Sequence, residues 1–181
     1  HYYLANDITY EGDDAALSYT VLSRKSCLHL NGHNINATKA RAIYAGSQLN
    51  VMGNGIVSGN STDANRGATA EVNHVSARLN LYGGTYVKSG LDTVNPIVNI
   101  YGAGGIINLY EGVTVDGSKV TKSGTVRAFA GTFNMYGGQL TGNTSKPPDG
   151  GDGQGGALYL SAASGSNAGG VFNMYGGSIN N

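Results

Sequence analysis

Apolar and polar residues alternate along short stretches of this chain, and the same alternation returns six times. The segments LHLNGHNI (28–35), LNVMGNGIVSGN (49–60), LNLYGGTYVKSG (79–90), INLYEGVTVDGS (107–118), FNMYGG (133–138) and FNMYGG (172–177) share one wording. Each runs apolar, Asn or His, apolar, variable, and then glycine or a neighbour of it. A period of two predicts a strand whose faces differ. Phe133 and Met135 point one way, Asn134 and Tyr136 the other, and Gly137-Gly138 then breaks the strand with a sharp corner. Helices are disfavoured because glycine recurs every few residues and costs about 1 kcal/mol each in a helix interior.

A second strand is expected before each of these central ones, in RAIYA (41–45), EVNHV (71–75), PIVNIY (96–101), VRAFA (126–130) and GALYL (156–160). A third follows in GIVSGN, TYVKSG, VTVDGS and QLTGN. Three strands and three corners make a unit, and unit starts lie 21 to 39 residues apart. Such units cannot bury an apolar face alone, but coiled one above another they share a core and hydrogen-bond to their neighbours. The expected fold is all-β: a parallel β-helix of about six coils, with an antiparallel β-sandwich as the weaker alternative, since its strands need not repeat one another's wording.

Inward columns are expected from Leu28, Leu49, Leu79, Ile107, Phe133 and Phe172, and beside them Leu30, Val51, Leu81, Leu109, Met135 and Met174. Outward columns are expected from Asn50, Asn80, Asn108, Asn134 and Asn173, and from Tyr82, Tyr110, Tyr136 and Tyr175. Stacked amides hydrogen-bond along a stack, and stacked aromatic rings add to it.

Composition narrows the functional classes. With 181 residues the chain is read as a single β-helix domain, 1–181, in which 1–25 caps the coils of 26–181. Lysine plus arginine equals aspartate plus glutamate at 11 each, so no global field recruits nucleic acid or an anionic membrane. The single Cys27 excludes an internal disulfide and a thiolate metal site. No apolar run approaches the roughly 20 residues of a membrane-spanning helix. His1 is not a natural start, and FNMYGGSINN at 172–181 breaks off without a polar cap. The expectation is a piece of a longer protein, or an open C-terminal end covered by another chain.

YYLANDITY (2–10), followed by YTVLSRKSCLHLNGHNI (19–35), resembles the start of pectate-lyase-like right-handed β-helix domains in repeat-rich surface proteins of Gram-positive bacteria. Tyr2, Tyr3, Leu4, Asp7, Ile8, Thr9, Leu28, Leu30, Asn31, Gly32, His33 and Ile35 carry the opening. Phe133, Met135, Gly137, Gly138, Gly142 and Asn143 carry the turn. The resemblance spans nearly the whole chain and implies a right-handed winding and a secreted or cell-surface location. It says little of function, because one such scaffold carries lyases, hydrolases, adhesins and spacers.

No catalytic constellation stands out. Asp63, Glu71, Asp92, Glu111 and Asp116 are scattered over successive coils, and Glu111 takes the slot of Gly137. Aligning Leu79 with Ile107 sets Lys88 level with Asp116, an expected surface ion pair worth about 0.5 kcal/mol. His33 is read as a turn residue that satisfies nearby backbone, not as a base. His1, His29 and His74 lack metal-site spacing. PPDGGDGQGG (147–156) is weighed as a calcium loop, but a single copy reads as an inserted loop, as does SAASGSNAGG (161–170). No cofactor is expected, calcium being the one alternative.

Three functions follow from different classes. The first is a non-catalytic structural or adhesive module of a secreted or surface protein. The second is a glycan-binding module that uses Tyr82, Tyr110, Tyr136 and Tyr175 with Asn80, Asn108 and Asn134. The third is a polysaccharide lyase or glycoside hydrolase. The first is preferred, with glycans or another protein chain as partners.

Overall fold

The computed structural model describes residues 1–19, 24–63, 66–90, 94–120, 122–145, 153–162 and 168–181. Among these every regular element is a strand, and all paired strands are parallel. They form three sheets. The first contains Tyr2–Tyr3, Lys25–His29, Gln48–Met52, Arg78–Leu81, Ile106–Leu109, Thr132–Met135 and Val171–Met174. The second contains Ile8–Tyr10, Ile35–Ala37, Ile56–Gly59, Gly84–Lys88, Val113–Asp116, Gln139–Thr141 and Ser178–Ile179. The third contains Ala15–Tyr19, Arg41–Ala45, Ala70–Val72, Val98–Ile100, Val126–Phe129 and Leu158–Ser161. The chain visits the sheets in that order repeatedly, so each strand pairs with its counterpart in the next coil. This is a parallel β-helix, as the repeated alternation predicts.

The core runs along the axis. Leu49, Leu79, Ile107 and Phe133 stack in register, and Phe172 lies on Phe133 with ring centroids 5.7 Å apart. Val51, Leu81, Leu109 and Met135 form the neighbouring column. From the third sheet, Ile43, Ala70, Val98 and Val126 close the interior. Period-two alternation thus becomes burial: in Ile106–Leu109 the apolar Ile107 and Leu109 are fully buried and Asn108 only half so.

Four expected positions are corrected. Leu28 lies under Val51, and Ser26, not Leu28, lies under Leu49. The reason is a left-handed turn at Asn31 and Gly32 (φ 55° and 81°) that places the bend after Leu30, so Leu30 fills the corner instead of the strand. Met174 follows Met135 in register, yet 47% of it is exposed, because its strand has a partner on one side only. Lys88 is buried and is not level with Asp116. Gly84 pairs with Val113 and Tyr86 with Val115, so Asp116 falls beside Val87. One extra residue in the corner between Leu109 and Val113 shifts that register. Asp116 instead accepts the Ser118 N–H at 2.9 Å.

Within 1–25, expected as a cap, the strands Tyr2–Tyr3, Ile8–Tyr10 and Ala15–Tyr19 join the first, second and third sheets. The corner after Thr132–Met135 depends on glycine: Gly138 has φ 75°, and a Cβ there would lie 2.6 Å from the Val113 carbonyl oxygen.

Candidate functional site

Two outward ladders run along the first sheet. In the asparagine ladder, Asn80 donates to Asn50 at 2.7 Å, Asn108 to Asn80 at 2.7 Å, Asn134 to Asn108 at 2.8 Å and Asn173 to Asn134 at 2.8 Å. Asn50 ends the run on the Cys27 Sγ at 3.3 Å, a pairing that only the corrected register of that coil makes visible. Each amide has a donor and an acceptor, so identical side chains one coil apart satisfy one another.

Beside it, Tyr82, Tyr110, Tyr136 and Tyr175 stack with centroids 4.3, 5.1 and 5.0 Å apart and ring planes within 13°. The column continues toward the N-terminus through Met52 to His29, whose ring lies 4.3 Å from that of Tyr3. Burial raises the Tyr110 phenol above its ordinary value, helped by the Tyr82 hydroxyl beside it. The stacking also decides what the ladder offers a ligand. Faces of the inner rings are spent on one another, so solvent meets ring edges and hydroxyls rather than a flat row of aromatic faces. A groove of ≈ 610 Å³ adjoins Tyr136, between Glu111 and Gln139, where glycines form the corner.

The third sheet carries a different kind of assembly. Ser18, Tyr44, Glu71, Asn99, Arg127 and Tyr159 are level in successive coils, on the face opposite the core. Glu71, Asn99 and Arg127 are nevertheless at most 5% exposed. The segment around Gly67 folds over them: its N–H donates to Glu71 Oε2 at 2.8 Å, and a Cβ at Gly67 would lie 2.9 Å from that of Asn99. Glu71 also accepts from Arg41 Nη1 at 2.6 Å and Asn99 Nδ2 at 3.1 Å. Arg127 Nε donates to Asn99 Oδ1 at 2.9 Å. Burial lowers the pKa of the Arg127 guanidinium from its ordinary value, and the Glu71 carboxylate opposes that shift.

The network reaches the surface through Asp14, whose Oδ1 meets Arg41 Nη2 at 2.8 Å and Arg66 Nη1 at 3.3 Å. Arg66 Nε meets Asp63 Oδ2 at 3.0 Å. Arg41 also lies 4.5 Å over the Tyr44 ring, a cation–π contact. Its Nε is buried without a hydrogen-bond partner, which ordinarily costs about 1–3 kcal/mol. These groups line a recess of ≈ 390 Å³ with Tyr101 at its edge.

The expected scattering of acids is therefore corrected. Asp63 and Glu71, joined by Asp14, converge on two arginines because a coil brings residues about 30 positions apart into adjacent strands. No linear motif announces this: Arg41 and Glu71 are separated by 30 residues. Glu71 in EVNHV lies on the outward face by alternation, but Arg41 in RAIYA shares the parity of the inward Ile43, so the pattern gives no signal for the pair. Both Glu71 oxygens are engaged, by three donors: Arg41, the Gly67 N–H and Asn99.

The histidines are placed as follows. His33 Nδ1 lies 3.3 Å from Asp7 Oδ1, so its partner is a carboxylate rather than the backbone. Asp7 also accepts the Asn34 N–H at 2.8 Å, which chiefly lowers its pKa. His1 and His29 approach to 3.3 Å, but among the described residues no group of three or more His, Cys, Asp or Glu is placed to hold a metal ion. Asp92, and residues 147–152 and 163–167 of the two glycine-rich loops, lie outside the described residues. Among the described residues no helix is long and apolar enough to cross a membrane. Comparison of the chain with protein-family models, curated proteins and solved structures returns no significant match.

Proposed function

We propose that this chain is a non-catalytic structural or adhesive module, a rigid β-helical segment of a secreted or cell-surface bacterial protein. The observation that supports it best is the unbroken run of amide-to-amide bonds from Asn173 to Asn50. Polar groups that a catalytic face would aim at substrate are spent here on joining coil to coil. The resemblance of the YYL and LNGH segments to pectate-lyase-like domains of Gram-positive surface proteins favours the proposed location. Uncovered apolar side chains at inward positions of the last strands, Met174 on Met135 and Ile179 on Leu140, favour a protein partner on that end of the stack. Incubation with pectins, host glycans and arabinoxylans should yield neither new reducing ends nor unsaturated products. Robust turnover that depends on calcium overturns this reading.

A second reading has the tyrosine ladder bind glycans, and the ≈ 610 Å³ groove beside Tyr136 favours it. Hydroxyls at the ring edges would then hydrogen-bond to sugar hydroxyls, with Glu111 and Gln139 as neighbours. Binding on a glycan array that disappears in Tyr110→Ala and Tyr136→Ala supports it; a blank array, or binding unchanged in both variants, sinks it.

A further inference from the structure

The recess on the third sheet has a chemistry that scaffolding does not require. A buried ion pair is a weak source of stability, since well-packed apolar residues often do as well. This one includes Glu71 and Arg41, at 1% and 5% exposure, and it leaves Arg41 Nε without a partner. It also opens to solvent through Asp14, whose side chain is 73% exposed and takes both arginine contacts on Oδ1.

We propose that this recess is a binding site for a neutral saccharide, its ring against Tyr101 and its hydroxyls among Asp14, Arg41 and Arg66. Charge selects the class. Asp14, Asp63 and Glu71 face Arg41, Arg66 and, one coil further, Arg127, so opposite charges match one for one. An anion would have to displace carboxylates from the guanidiniums it needs, and a cation would have to displace guanidiniums from the carboxylates. A hydroxyl does neither, because it donates to an aspartate and accepts from an arginine within the existing pairs. Five N–H donors on each guanidinium leave capacity beyond the ion pairs.

Size and shape agree with this class. At ≈ 390 Å³ the recess falls within the roughly 300–1,000 Å³ of small-molecule sites. Tyr101 is 38% exposed, and its ring meets Phe129 edge-to-face at 5.8 Å, so the aromatic wall is braced from the next coil. Ser18 and Asn73 supply further neutral polar groups at the rim. The site is independent of the tyrosine ladder, which lies on the first sheet.

The test is titration of the ¹⁵N-labelled chain with glucose, galactose, mannose, xylose and their disaccharides, read by amide chemical shifts. At least one saccharide should shift the resonances of Asp14, Asn73 and Tyr101. Tyr101→Ala and Asp14→Asn, each checked for an unchanged fold by circular dichroism, should weaken that binding about tenfold or more, while Tyr136→Ala leaves it unchanged. The proposal is overturned if no neutral sugar moves these resonances, if glucuronate, phosphate or calcium moves them and neutral sugars do not, or if folded Tyr101→Ala and Asp14→Asn both bind as the parent does. Shifts confined to Tyr82, Tyr110 and Tyr136 likewise overturn it and favour the ladder instead.

Discussion

Tyr86 is fully buried inside the coil, and its hydroxyl has no hydrogen-bond partner. Burial raises its phenol far above the ordinary tyrosine range, in the same direction as Tyr110. The sign of the linkage follows: above about pH 10 the unfolded chain releases these protons while the folded chain keeps them. Stability from both groups is complete below that pH and is lost as pH rises toward the folded values. Urea midpoints should therefore fall at alkaline pH, and Tyr86→Phe should shallow that fall. At neutral pH the same variant should gain about 1–3 kcal/mol by removing an unsatisfied buried hydroxyl; a loss of stability would mean that the hydroxyl is satisfied. Asn108 shows the opposite case, because it donates to Asn80 and accepts from Asn134. Asn108→Ala should cost about 1–3 kcal/mol in chemical unfolding, and Asn173→Ala, at the end of the ladder, where it donates to Asn134, about half as much. Equal costs would count against a cooperative ladder.

At the scale of elements, a coil is held by what its strands repeat and specialised by what its corners and crossings vary. Strands of the first sheet repeat their wording because each must lie in register on the one beneath, so Leu79, Asn80 and Leu81 meet Ile107, Asn108 and Leu109 position for position. The crossing before Ala70–Val72 is specialised: Gly67 brings backbone over the outer face of the third sheet. A Cβ there would fall 2.6 Å from the Ala70 oxygen as well as on Asn99. Gly67→Ala should lift this segment, weaken its bond to Glu71 and cost about 1–3 kcal/mol. Gly169→Ala, where a Cβ meets nothing within 4 Å, serves as the neutral control in the same urea unfolding series. Similar midpoints for the two variants would show that the crossing yields without penalty.

In the whole molecule, stability passes from coil to neighbouring coil, as in any solenoid. Amide hydrogen exchange should be slowest in Arg78–Leu81 and Ile106–Leu109, which have strands on both sides, and fastest in Val171–Met174 and Ser178–Ile179, which have one. Equal protection throughout in a monomeric sample would contradict nearest-neighbour stabilisation. Local sequence carried the strands, the corners and the inward columns, because a stacked coil must repeat the same letters at the same depth. The alignments of Leu28 and Lys88 were beyond it, since one residue more or less in a corner resets the pairing of the strand beside it. The meeting of Arg41, Glu71, Asp14 and Arg66 was also beyond it. Their sequence separations of 27, 30 and 52 residues leave no motif to read. Periodicity alone determined that this chain coils; only the coiled structure, by setting the register of each turn on the last, decided which charges share a surface.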